Sequence, residues 1–411
     1  MTSQPPSRSS LRIVIGAVMY PPDVSGAANF AHRLGTGLAE RGHDVHVICH
    51  STNRESSTSV EDGVTVHRVG SYGTPFHPTF RVCEPWRAAR TADRLLGEIR
   101  PDVVHAQSHF FMGRALINAA RRKEIGLVAT NHFMPENIFG YVRVPRMLQG
   151  AAAWLLWSNL VRHYRKAQMV TAPTPRAVQL LRENGFDQQA VPVSCGIDVA
   201  RYSRRARAVR QQDPDPEVRR VLFVGRLDEE KHIDDLLRAM ALLRAQVPIR
   251  LEIVGDGSCR ASFEQLAVEL GVRERVRFRG FVSEEELLDT YARADLFCMP
   301  SIAELQSLAT MEAMSAGTPV VLADAMALPH LVAAGENGYL YPPRDVHALA
   351  AAIDHVLADR DTIDRMGAAS TRVVSRHDIG AVLGRFEAIY RHVIDPREVV
   401  EPEQAYSELA S

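Results

Sequence analysis

At 411 residues the chain exceeds what one hydrophobic core sustains, since cores stop growing at roughly 250 to 300 residues, and two domains are expected. Its 46% hydrophobic and 24% charged residues are globular proportions, and a formal net charge of −1 gives no electrostatic footprint for nucleic acid. The five cysteines, Cys49, Cys83, Cys195, Cys259 and Cys298, are scattered and form no CxxC pair, which argues against a disulfide frame or a zinc site and fits thiols in a reducing compartment.

Residues 1–10 (MTSQPPSRSS) lack the apolar centre of a secretory signal and read as a loose tail. No run reaches the roughly 18 to 20 apolar residues of a spanning helix, so a cytoplasmic protein is expected, with any membrane contact peripheral. A first domain spans 11–200. It opens on the apolar run LRIVIGAV (11–18), the Pro/Gly loop 20–26 and an amphipathic helix over 29–41, and short apolar strands recur at 43–49, 64–69, 102–106, 125–130 and 168–171. Residues 201–219 are rich in charge and proline and read as a linker and candidate hinge. The strand and helix alternation restarts over 220–378, a helix at 379–395 crosses back to the first domain, and 396–411 is an acidic tail. Two doubly wound, Rossmann-like α/β domains facing across a cleft are expected.

In parallel α/β sheets ligands bind at the carboxyl ends of the strands, so the loops there carry the chemistry. The first, YPPDVSGAAN (20–29), offers Gly26 and small neighbours at a helix start, where a ligand can approach backbone amides, although a glycine there also serves a plain turn. TNHFMPEN (130–137) follows the strand ending at 130. GRLDEEK (225–231) follows the strand VLFV: Gly225 allows the turn, and Arg226 and Lys231 can converge on a diphosphate, unless the run is merely a solvated loop. VGDG (254–257) places Gly255 at a strand end, a turn common everywhere. ELQSLATMEAMSAGTPVV (304–321) puts Glu304 in a loop and Glu312 in the helix beginning near Ser307 and Leu308. The free amides at that start suit phosphate or sugar oxygens and the carboxylates suit hydroxyls; a first-turn carboxylate favoured by the helix dipole is the plainer alternative.

GRLDEEKHIDDLL and ELQSLATMEAMSAGTPVV, in this order and about eighty residues apart, resemble the donor site of glycosyltransferase family 4, a retaining family of GT-B fold, and the similarity runs to NGYLYPPRD (337–345). The resemblance implies that Arg226 and Lys231 bind a donor diphosphate, that Glu304 contacts the transferred sugar and that Glu312 binds the ribose. It also implies that Gly26 lies near the diphosphate and that the backbone of FRGFVS (278–283), with Phe281 and Val282, receives the base. His132 lines the sugar site by the same analogy, although a lone histidine is more often structural. Where the family usually has Glu-x-Phe-Gly this chain has Glu304-Leu305-Gln306-Ser307; a serine amide still donates, so the departure bears on sugar preference. Gln306 and the His132-Phe133-Met134-Pro135-Glu136-Asn137 stretch are similar to glycolipid-forming members.

Retention in this fold, as the resemblance implies, proceeds on one face of the sugar with the leaving phosphate deprotonating the acceptor. It requires positive charge for the departing diphosphate and no protein nucleophile, metal or other cofactor. The Asp213 and Asp215 pair lies in the linker and not at a strand end. The expected activity is therefore hexose transfer from a UDP- or GDP-sugar to a hydroxyl acceptor. Between Arg143 and Lys166 the chain combines Trp154, Trp157 and other apolar residues with Arg162 and further basic residues at its ends. This suits a membrane interface that offers a lipid acceptor at the inner face of the plasma membrane, or else a helix buried in the first domain. A soluble aminocyclitol, sugar or natural-product acceptor is the alternative, with an epimerase further off. An oxidoreductase is disfavoured because no Gly-x-Gly-x-x-Gly follows the first strand.

Overall fold

The computed structural model describes residues 10–23, 25–74, 77–135, 139, 144–211, 217–244 and 247–397. Asp213, Asp215, Glu136, Asn137 and Arg143 lie outside the described residues, as does most of each terminal tail. The chain divides into two compact units, Met1–Ser194 with Val382–Ser411, and Cys195–Ala381.

The first unit contains strands β1 (Arg12–Gly16), β2 (Asp44–His50), β3 (Ser57–Glu61), β4 (Val64–Val69), β5 (Tyr72–Thr74), β6 (His77–Val82), β7 (Val103–Ala106), β8 (Gly126–Thr130), β9 (Met169–Ala172) and β10 (Ala190–Pro192). Its helices are α1 (Gly26–Glu40), α2 (Pro85–Ile99), α3 (Phe111–Arg122), α4 (Arg146–Tyr164) and α5 (Pro175–Glu183). The main sheet runs β10-β9-β8-β7-β1-β2-β4-β3, parallel except for the antiparallel β3. Every residue of β7, β8 and β9 is buried, which is why these strands read as unbroken apolar runs: helices cover both faces of a parallel sheet. β3 and the β5–β6 ribbon escaped the sequence reading because STSVE and YGT are short, polar and without a buried face to impose a pattern.

In the second unit α6 (Val199–Arg210) leads into β11 (Arg219–Val224), α7 (Ile233–Leu242), β12 (Ile249–Val254), α8 (Arg260–Glu269), β13 (Val276–Gly280) and α9 (Glu284–Arg293). β14 (Leu296–Met299), α10 (Leu308–Ser315), β15 (Val320–Ala323), β16 (Gly338–Tyr341), α11 (Val346–Val356), α12 (Arg360–Val374) and α13 (Ile379–Ile394) follow. The sheet order β13-β12-β11-β14-β15-β16 is parallel throughout and reverses direction between β11 and β14. In the first unit the same reversal falls between β1 and β7.

The segment read as a linker at 201–219 is largely helix. α6 buries Tyr202, Ala206 and Val209 in the second unit's core, and Arg210 donates to the carbonyls of Ala292 and Gly317. Five arginines between 201 and 210 masked an apolar stripe at positions 202, 206 and 209, spaced as a helix requires. The boundary between units therefore falls at Ser194, upstream of the charged run.

The crossover helix forms as expected: α13 begins in the second unit and from Val382 belongs to the first. There Phe386 packs on Phe30 and His105, the Tyr390 hydroxyl meets His105 Nδ1 at 2.8 Å, and Glu387 accepts from Arg41 and His43.

Candidate active site

The reversal in strand order leaves a crevice at the carboxyl ends of β11 and β14, because the connections leaving these two neighbours run to opposite sides of the sheet. The loops there are 225–232 and 300–307, the two that carry the sequence motifs. Glu230 O accepts from Ile302 N at 3.1 Å, and Lys231 Nζ donates to Glu304 Oε1 at 2.5 Å. Both side chains are about one-eighth exposed, at 12% and 13%, so the pair is shielded yet reachable. Arg226 is 45% exposed and is held by carboxylates of its own loop, Asp228 at 2.5 Å and Glu230 at 2.8 Å. Burial raises the Asp228 carboxyl, but the Arg226 charge and the Ser258 amide and hydroxyl outweigh it and hold the group below the usual range.

Glycine decides how the next loop meets this one. Gly255 has φ of +125°, and a Cβ there would stand 2.0 Å from Gly225 O. At Gly257 it would lie 2.6 Å from the Leu227 backbone, which already exchanges hydrogen bonds with Asp256 O and Cys259 N. The glycines thus let 254–257 support the arginine loop from beneath.

Ser307 caps α10. Its hydroxyl accepts from Thr310 N at 3.3 Å and from the Thr310 hydroxyl at 2.7 Å, and it is 3% exposed. The departure from the family's glycine thus has a structural use: it satisfies one of the amides a helix leaves open at its start. Leu308 follows, partly buried on the core. The Gln306 carboxamide oxygen accepts from Cys195 N at 2.8 Å, which anchors the glutamate loop to the segment where the second unit begins. Glu312 is 7% exposed and accepts from the Tyr291 hydroxyl at 2.9 Å, so the carboxylate expected to meet a ribose is held from α9. Phe281 is 75% exposed beyond β13, while Val282 packs on the core.

In the first unit Gly26 opens α1, with Ser25 Oγ capping Ala28 N at 3.1 Å. His132 follows β8 with its ring 4.6 Å from Phe30, and burial pushes its pKa down to about 4, so the imidazole is neutral near pH 7. Gln107 and His109 after β7 and Asn131 after β8 have buried polar atoms with no hydrogen-bond partner among the described residues. Gln107 and His109 leave no signal in the sequence, since QSH has neither glycine nor fixed charge, and within TNHFMPEN only His132 has an expected role; the place of Gln107, His109 and Asn131 at adjacent strand ends is what singles them out.

α4 divides the apolar residues expected at a membrane. Trp154 is 66% exposed, together with Met147, Leu148 and Leu155, whereas Trp157 is 3% exposed and belongs to the core. Trp157 is therefore no surface anchor. It lies three residues beyond Trp154, about 60° off the exposed stripe, where the helix meets the protein. Arg162 is exposed at the helix's last turn. Among the described residues no helix is long and apolar enough to cross a membrane, and no cluster of three metal-ligating side chains occurs.

Comparisons with known proteins identify the family and the fold. The model for glycosyl transferases group 1 matches residues 205–373, and that for Glycosyltransferase Family 4 matches 24–201. A GDP-mannose-dependent alpha-mannosyltransferase of Mycobacterium tuberculosis is 31% identical over 396 residues, covering 92% of this chain and 97% of the relative. A glycogen synthase of the same species is 31% identical over 404 residues, covering 92% and 94%. The solved sucrose-phosphate synthase of Thermosynechococcus elongatus superposes with a TM-score of 0.77 at 21% identity, covering 95% of this chain and all of that one, and shares the GT-B fold.

Proposed function

Because the chain belongs to the family 4 glycosyltransferases and so transfers sugar from a nucleotide donor, we propose that it is a retaining hexosyltransferase whose acceptor is a membrane glycolipid precursor. Lys231, Arg226 and the amino end of α10 supply the positive charge that the leaving diphosphate requires, in place of a metal ion. Glu304, already engaged by Lys231, reads a sugar hydroxyl and is not a free nucleophile, and Glu312 reads the ribose. In the first unit, neutral His132 is the residue that the family resemblance assigns to the sugar, and Gln107, His109 and Asn131 offer unspent hydrogen-bonding capacity to a hydroxylated headgroup. GDP-mannose is the first donor to try, on the strength of the mannosyltransferase's name, with UDP-hexoses next.

The observation that carries the lipid acceptor is the outer face of α4. Met147, Leu148, Ala151, Trp154 and Leu155 fall on one helical stripe that faces solvent, and Arg162 follows on the same side. An apolar stripe with an aromatic residue and arginine beyond it matches the interface of a bilayer with anionic lipids, and the reading puts the enzyme at the inner face of the plasma membrane. The equal identity to a glycogen synthase favours, as second reading, a soluble saccharide acceptor.

Incubating the enzyme with GDP-mannose and UDP-glucose, with and without diacylglycerol vesicles containing anionic lipid, decides between them. Released nucleoside diphosphate together with a new glycolipid by mass spectrometry supports the first reading. Transfer only to added oligosaccharide would replace it by the second.

A further inference from the structure

Lys231 ends a 3-10 turn, Glu229–Lys231, and the next residue, His232, stands in the left-handed region at φ +47° and ψ +41°. A residue with a Cβ pays roughly 1 to 2 kcal/mol to stay there, so neighbouring groups must hold it. On one side the Ile302 amide binds Glu230 O. On the other, Arg344, in the loop that follows β16, closes on the far end of the turn. Its Nη1 donates to His232 Nδ1 at 2.8 Å and to Asp234 at 2.9 Å, and lies 3.0 Å from Asp235. Because a guanidinium only donates, His232 Nδ1 is the acceptor and the ring proton resides on Nε2. Asp234 and Asp235 are the first-turn acids of α7, only a few residues from Lys231, and Arg344 offsets their charge.

We propose that Arg344 is a positioning residue of the donor site: through His232 and Asp234 it fixes the turn that aims Lys231 at the diphosphate. The inference rests on the reading that Lys231 meets the donor diphosphate. Arg344 itself touches neither Lys231 nor Glu304 in the hydrogen-bond pattern; it acts through the backbone of the turn.

The test uses the full chain carrying Arg344→Gln, Arg344→Lys, Lys231→Met and the Arg344→Gln/Lys231→Met pair. Affinity for UDP and for GDP is measured by titration calorimetry, donor KM and kcat by nucleoside diphosphate release, and Tm by thermal denaturation. Arg344→Gln is expected to weaken nucleoside diphosphate binding and raise donor KM by roughly tenfold or more, as misplacement of a positioned group does. Arg344→Lys, which keeps the charge, recovers part of the loss. On the Lys231→Met background Arg344→Gln adds no further loss, since the group it positions is gone. An equal further loss on that background, or a fall in Tm with unchanged affinity, would overturn the proposal. If Lys231→Met alone leaves affinity unchanged, it is the assignment of Lys231 that fails, whatever Arg344→Gln does.

Discussion

Lys231 and Glu304, 73 residues apart in the chain, meet at 2.5 Å because they stand on the loops that leave β11 and β14, the neighbouring strands between which the second sheet reverses its order. The pair presets the lysine before any ligand arrives, and it leaves the carboxylate partnered by a cation. Each change there should therefore be read against the charge left behind.

Lys231→Ala is expected to lower kcat/KM for the nucleotide sugar by about a hundredfold or more, the scale of one lost charge-stabilising donor. Glu304→Gln keeps the shape and releases the lysine, so donor affinity falls less than turnover. Steady-state kinetics with donor varied separates the two; equal losses in both variants would mean that the pair acts as a structural ion pair only.

Ser307 offers a test of why this chain departs from glycine. Ser307→Ala removes the cap on Thr310 and should cost about 1 kcal/mol of stability, while Ser307→Gly costs only a few tenths. Denaturant midpoints compared at constant slope measure both. A loss for glycine as large as that for alanine would show that the buried contact to the Thr310 hydroxyl, not the cap, is what matters.

α4 predicts opposite outcomes for two tryptophans three residues apart. Trp157→Ala empties a buried site and should destabilise the first unit by about 3 to 5 kcal/mol. Trp154→Ser removes an exposed ring and should leave stability within about 0.5 kcal/mol while reducing flotation with anionic vesicles. Unchanged flotation in Trp154→Ser combined with Leu155→Ser would remove the support for a lipid acceptor.

Acid should weaken the first unit through histidines buried as neutral rings. Burial pushes His105 and His109 down to about 3 and His132 to about 4, against an ordinary value of 6.5. The unfolded chain then binds more protons than the folded one below pH 6.5, so stability, full above that value, is lost as pH falls toward 4 and 3. Each group contributes roughly 1.4 kcal/mol per unit of separation. Unfolding midpoints at pH 7, 6, 5 and 4 should fall progressively, and His105→Gln should flatten the slope whatever its effect at pH 7. An unchanged slope in that variant would show that His105 is not among the groups responsible.

The parallel α/β character, the alternation into two Rossmann-like domains, the returning helix and the positions of the motif loops were all legible in the amino-acid order. Each rests on a local cause: apolar runs such as VLFV for strands buried on both faces, glycines where the chain must turn, and a 3.6-residue stripe for helices. Apart from the short polar hairpin strands β3, β5 and β6, what escaped local pattern were features whose partners lie far off in sequence. α6 was hidden because five arginines interrupt its apolar residues, and the helix is stabilised only when Tyr202, Ala206 and Val209 find the second core. The split between Trp154 and Trp157, the capture of Gln306 by Cys195 and of Glu312 by Tyr291, and the grip of Arg344 on the turn beyond Lys231 belong to the tertiary structure alone. A sequence states which groups are present, but hydrogen bonds and burial depend on which strand ends the sheet order brings side by side, and that order is set by the packing of the whole unit.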